Sequence, residues 1–282
     1  MSDTLEFLLF GFLILVFIAL PVILLFSMVF SVIRSTLIYF FPTLVNFFLI
    51  VYKLPVHRKK ILEKYFKYYN DLPDEKLKEE FRKRVQRFIA LKQFIPRGGL
   101  TEVSEEMKVL IAASAIQITF GYPSVYFKHF SRILIYPDNY YSTITGKYHK
   151  GEVNLRGLIV LSWKNFVEGY MDHTDGINLG IHEMSHALKF ENKIVNKEYN
   201  YIPESAIRRF KYIALREMAL LKKIDSHLFR GYASTNYHEF FAVSIENFFE
   251  KPLELFEFDR DLYFAVAQLL NQDILNSKYR IN

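Results

Sequence analysis

The chain of 282 residues contains no cysteine. Disulfide bonds and cysteine-ligated zinc are therefore excluded, although this does not fix the compartment. Charge is almost missing from the N-terminal fifth, where Asp3, Glu6 and Arg34 are the only acidic or basic residues among the first 52. A cleavable signal peptide needs a basic leader, a short apolar core and a small-residue cleavage site, and none of these is found there. Internal repeats and low-complexity tracts are also absent.

What stands in place of charge is a long apolar run. Residues 7–33, FLLFGFLILVFIALPVILLFSMVFSVI, are uncharged throughout. They exceed the ~20 residues that cross a bilayer as a helix, and their length argues against a buried core helix. Residues 36–52, TLIYFFPTLVNFFLIVY, are apolar but broken by Pro42 and Asn46, and are read as a second span or as a segment lying at the interface. Lys53, Arg58, Lys59 and Lys60 follow at once. Positive charge flanking a span is retained inside, so the expectation is a permanent membrane anchor in residues 1–52 and a cytoplasmic domain in residues 53–282. Part of the basic excess of residues 53–282 is this cluster, which suits lipid headgroups. Nucleic-acid binding is not indicated.

After residue 52 the pattern is mainly helical with a few strands, an α+β domain. Residues 73–94 place Leu77, Phe81, Val85, Phe88 and Leu91 at helical spacing behind Asp74. The turn signal PRGG at 96–99 precedes a second helix at 103–120. RILIYP at 132–137 and GLIVLSW at 157–163 read as short strands, with a loop rich in Tyr, Thr and Gly that includes His149 between them.

The second strand leads to INLGIHEMSHALKF, residues 177–190. Ile177, Ile181, Met184 and Leu188 give this segment a core-facing helical stripe, with Thr174 or Asp175 as the expected cap. His182 and His186 are four apart, on one face and one turn from each other. Two imidazoles so placed can share one metal ion, and Glu183 then flanks the position of a metal-associated water. A catalytic zinc needs a third protein ligand. Residues 231–252, GYASTNYHEFFAVSIENFFEKP, supply His238 and Glu239 in the first turn of a helix capped by Ser234 or Asn236, and spacing does not choose between them. Glu246, two turns beyond Glu239, is placed to orient a ligand. HEMSH lies among Asp172, Asp175, Lys189 and Glu191, which excludes a site inside a membrane span. A strand beside the motif helix is also placed to hold an extended peptide by backbone pairing.

The run GLIVLSWKNFVEGYMDHTDGINLGIHEMSHAL, followed by YASTNYHEFFAVSIENFFEKPLEL, resembles the zinc peptidases of the Mlc titration factor A (MtfA) type. The likeness extends back through EEMKVLIAASAIQITFG and ILIYP. More distantly, the layout is similar to the catalytic domain of anthrax lethal factor. The resemblance implies a zincin-like metallopeptidase domain with Zn2+ on His182, His186 and Glu239, Glu183 as general base and Tyr232 as oxyanion donor. It implies a peptide or protein substrate. Because the family includes a member that sequesters a transcriptional repressor, it also implies an alternative role in binding a regulatory partner. The chain departs from the family at Lys189, where an aspartate is usual, and in the long apolar segment.

Overall fold

The computed structural model describes residues 17, 19–29, 32–33, 53–142, 146–194, 201–222, 228–229, 233 and 235–279. The chain divides into two compact units, residues 1–52 and 53–282. In the first, the described residues are helical and expose Phe17, Leu24, Leu25 and Phe26. No described helix is long and apolar enough to cross a membrane. Most of the segments 7–33 and 36–52, expected to form spans, lie outside the described residues.

The second unit is mostly helical with a small sheet. Its helices are α1 (Val56–Tyr65), α2 (Lys67–Asn70), α3 (Glu75–Leu91), α4 (Glu105–Thr119), α5 (Trp163–Met171), α6 (Leu179–Ile194), α7 (Glu204–Leu221), α8 (Tyr237–Glu250), α9 (Pro252–Phe258) and α10 (Arg260–Leu270). The strands of the main sheet are β1 (Gln93–Pro96), β2 (Arg132–Tyr136), β5 (Gly151–Asn154) and β6 (Leu158–Ser162), in the order β1-β2-β6-β5. The first three in that order are parallel, and β5 runs antiparallel to β6. A hairpin of β3 (Tyr140–Ser142) and β4 (Lys147–His149) stands before β5, and β7 (Gln272–Asp273) pairs with β8 (Lys278–Tyr279) near the C-terminus.

The expected helices at 73–94 and 103–120 form as α3 and α4, each opened by a side-chain cap. Asp74 accepts from the Leu77 N–H and Ser104 from the Met107 N–H. α4 is apolar on every side, and its residues from Val109 to Thr119 are all buried, so it runs through the middle of the unit. Phe81, Val85 and Phe88 of α3 are fully buried in the same core cluster. The C-terminal carbonyls of α4 need partners. Buried Arg84 supplies them, donating to Thr119 O at 2.7 Å, Phe120 O at 2.9 Å and Tyr122 O at 2.8 Å.

α6 presses against α4 and α5 closely enough that only glycine fits at one contact. A Cβ on Gly180 would stand 2.6 Å from a Phe166 ring carbon and 2.8 Å from Ser114 Oγ. The start of α6 differs from expectation. Asp172 and Asp175 use their carboxylates on the N–H groups of Thr174 and Ile177, forming turns rather than a cap. The cap is Asn178, whose Oδ1 accepts from Ile181 N at 3.0 Å.

The strand expected at 157–163 forms as β6, but its expected role in holding an extended peptide needs correction. β6 is already paired on both sides, by β2 and by β5, so it has no free edge for a peptide. Among the described residues the sheet has two edge strands, β1 and β5, and β5, four residues expected to lie in a loop, is the one that packs against α6.

Candidate metal centre

α6 carries both histidines on the side turned away from its core stripe. Ile181, Met184, Ala187 and Leu188 are buried, while His182 and His186 stand at the bottom of a cleft. Their rings are 4.7 Å apart, centroid to centroid, and nearly perpendicular. α8 brings the third group. Asn236 caps it, accepting from His238 N at 2.8 Å and Glu239 N at 3.1 Å, which fixes the first turn and turns Glu239 toward α6.

The three side chains meet. His182 Nε2 is 3.2 Å from His186 Nε2 and 3.2 Å from Glu239 Oε2, and His186 Nε2 is 3.7 Å from Glu239 Oε1. Zinc bonds of about 2.0–2.1 Å in a tetrahedron put ligand atoms ~3.3 Å apart, so these spacings fit one ion. His238 stays outside this cluster. It is exposed, with its ring 6.1 Å from that of Phe190. Among the described residues, these three are the group of His and carboxylate side chains that could hold a metal ion.

Glu246, 1% exposed, lies behind His182. Its Oε1 is 2.8 Å from His182 Nδ1, and its Oε2 accepts from Asn178 N at 2.7 Å. A proton on Nδ1 leaves the Nε2 lone pair facing the cluster. Asn178 is fully buried and also donates through Nδ2 to Gly169 O and Glu250 Oε1, each at 2.9 Å. The residue that starts α6 is thus tied to α8 twice, by its backbone N–H to Glu246, which also holds the first histidine, and by its side chain to Glu250.

Electrostatics favour a cation here. Burial pulls the His182 pKa down, but the carboxylates of Glu239 and Glu246 outweigh it and push it up to about 10. His186 goes the other way, held low by burial and by the neighbouring His182. With no cation bound, three carboxylates therefore draw a proton onto one imidazole. A divalent ion at the same place would answer the same negative charge.

Glu183, 5% exposed, faces β5 rather than joining the three. Burial raises its pKa to about 7; His182 opposes the shift, while Glu239, Glu246 and Glu152 reinforce it. Its contact with β5 depends on a missing side chain, because a Cβ on Gly151 would stand 2.5 Å from Glu183 Oε1. Tyr232, expected near the site, lies outside the described residues. Lys189 places its Nζ 3.9 Å from the Tyr237 ring centroid, and burial lowers its pKa to about 8 against the opposing pull of Glu239.

Residues 49–270, which include the site, match one family model. The chain belongs to the glucose-regulated metallo-peptidase M90 family. The M90 match spans α6 and α8 and bears out the MtfA-type resemblance. It supports a metallopeptidase type of function. The uncharacterized protein slr2042 of Synechocystis sp. is 27% identical over 218 residues, which cover 72% of this chain and 78% of that protein.

The sequence reading placed Glu246 correctly but missed Asn178 and Gly151. Asn178 had the composition of a cap, hidden behind Thr174 and Asp175, which are equally good candidates. The role of Gly151 depends on a strand pairing that no local signal announces.

Glu246 gives a specific expectation. Both of its contacts, with His182 Nδ1–H and with Asn178 N–H, need an acceptor, and a glutamine offers only one. Glu246→Gln is expected to weaken zinc binding by about 10- to 100-fold with the fold intact. Competition against a chromogenic chelator would measure this, and unchanged affinity would remove Glu246 from the account.

Proposed function

We propose that the chain is a zinc metallopeptidase of zincin-like fold that hydrolyses peptide bonds, with residues 1–52 as a membrane anchor and residues 53–282 as a cytoplasmic catalytic domain. The observation that carries the enzymatic reading is the convergence of His182, His186 and Glu239 beside a carboxylate, Glu183, that is not one of the three. Two imidazoles and one carboxylate suit zinc. Three protein ligands leave a coordination position open, as catalytic sites require, whereas structural sites are closed by a fourth.

When bound, the metal would supply a Lewis acid that makes the proton of water labile and polarises the peptide carbonyl. Glu183 is assigned the proton transfers. It accepts a proton from the attacking water and passes it to the leaving amine nitrogen. A pKa raised to about 7 suits both directions at neutral pH. Glu246 holds the His182 tautomer, and Asn178 ties that arrangement to the start of α6. The open edge of β5, which begins at Gly151 against Glu183, offers backbone groups to an extended peptide. Tyr232 is assigned the oxyanion contact on the family resemblance.

Glu183→Gln keeps the size of the side chain and removes the base. Expected is a 10²- to 10⁴-fold loss of peptide cleavage with zinc content and circular dichroism unchanged. Cleavage within a few-fold of wild type would show that Glu183 is not the base. Loss of cleavage with the cellular effect preserved would favour the binding role.

The anchor reading rests on the uncharged run at 7–33 and the basic cluster at 53–60. A reporter fused to the C-terminus of the full chain should give a cytoplasmic signal in a membrane fraction. A signal from the far side of the membrane, or recovery of the fusion in the soluble fraction, would contradict it.

A further inference from the structure

Two cavities flank the metal centre. One, of about 430 Å³, reaches toward Asn165 and Asp175, and the other, of about 510 Å³, reaches toward Phe190 and His238. Four residues line both: His149, Gly151, His182 and Glu183. The cavities are therefore the two halves of one cleft, and those four stand where the halves meet. Three already have parts in the reading above, as metal ligand, base and the strand glycine against the base. His149 does not.

His149 is held firmly for a residue of a short hairpin. It closes β4, directly across from Tyr140 of β3. Its ring stacks on that of Tyr140 at 6.1 Å and 29°, and Tyr140, 7% exposed, stacks in turn on Tyr136 at 4.6 Å and 20°. The next residue is pinned as well, because Lys150 O accepts from Ser162 N at 2.8 Å. The imidazole therefore enters the cleft at the end of a three-ring stack based on the main sheet. It is not a fourth ligand in this arrangement, since the cluster that could hold the metal is His182, His186 and Glu239. An imidazole that lines both halves of the cleft with His182 and Glu183, but stands outside the ligand cluster, has a use in peptide hydrolysis: a hydrogen bond to the carbonyl oxygen as it gains negative charge.

We propose that His149 is a catalytic residue that donates an imidazole N–H to the carbonyl oxygen of the scissile peptide, the proton staying on the ring throughout. This rests on the metallopeptidase reading and extends it to a second oxyanion donor, from the β3–β4 hairpin.

The test uses the full chain with its zinc and two substitutions. His149→Phe keeps an aromatic ring on Tyr140 and removes the N–H, while His149→Gln restores a donor. Measured for each are zinc content, kcat and KM on a cleavable peptide, and calorimetric affinity for a phosphinic peptide, whose tetrahedral oxygens mimic the oxyanion, against a product peptide. His149→Phe is expected to keep its zinc and its KM, to lose kcat by ~10²-fold, and to lose phosphinic-peptide affinity by a similar factor with product affinity unchanged. His149→Gln is expected to recover part of both losses. Unchanged kcat in His149→Phe, a rise in KM alone, or loss of zinc would each overturn the proposal, the last by making His149 a ligand. If the wild type binds zinc but neither cleaves peptides nor binds the phosphinic peptide, the metallopeptidase reading itself fails, and the role of His149 fails with it.

Discussion

The Glu246 carboxylate is the contact on which the rest of the site depends. One oxygen holds His182 Nδ1 and the other holds the N–H of Asn178. The first contact sets which nitrogen of His182 looks into the cleft. The second fixes the first turn of α6, and so the height and rotation of the face carrying both histidines. Because Glu246 belongs to the helix that also carries Glu239, a single carboxylate aligns the two elements that must supply ligands to one ion.

Such a carboxylate is costly to bury unless the charge around it is answered. Glu183, Glu239 and Glu246 lie within one small volume, and Glu152 adds to the field at Glu183. Burial in a medium of low dielectric disfavours the charged form of a carboxylate. The arrangement persists because each has a defined counterpart: backbone and imidazole N–H groups for Glu246, the imidazoles for Glu239, and a raised pKa for Glu183. A divalent cation would complete the compensation, and the residual negative charge is the physical reason to expect one. The aromatic core behind it, with Phe81, Phe120, Phe240 and Phe248 buried, gives the two helices a rigid base.

Much of this was legible in the sequence, for reasons that follow from period and chemistry. The four-residue step from His182 to His186 is a statement about one helical face, and the seven-residue step from Glu239 to Glu246 is another. α3 and α4 carried enough helical signal to be found to within three residues at each end, and α8 carried an apolar face with Asn236 among its expected caps. The choice of Glu239 over His238 was not contained in spacing, because adjacent positions in a first turn differ only by the rotation that tertiary packing sets. The role of Gly151 and the place of His149 in the cleft were out of reach for a related reason. Both depend on short strands whose pairing is long-range, and four residues such as GEVN carry too little alternation to declare an edge. The start of α6 was misplaced because Asp175 and Asn178 have the same capping chemistry, and only the contact from Glu246 separates them.

The central claim is that His182, His186 and Glu239 together bind one zinc ion and leave a position open. Zinc K-edge X-ray absorption of the purified chain tests this most directly, because it reads the ligands themselves rather than activity. The account predicts one zinc per chain with two imidazole shells and oxygen ligands at about 2.0–2.2 Å, and loss of one imidazole shell in His186→Ala. A spectrum with three or four imidazoles, or one unaltered in His186→Ala, would contradict it.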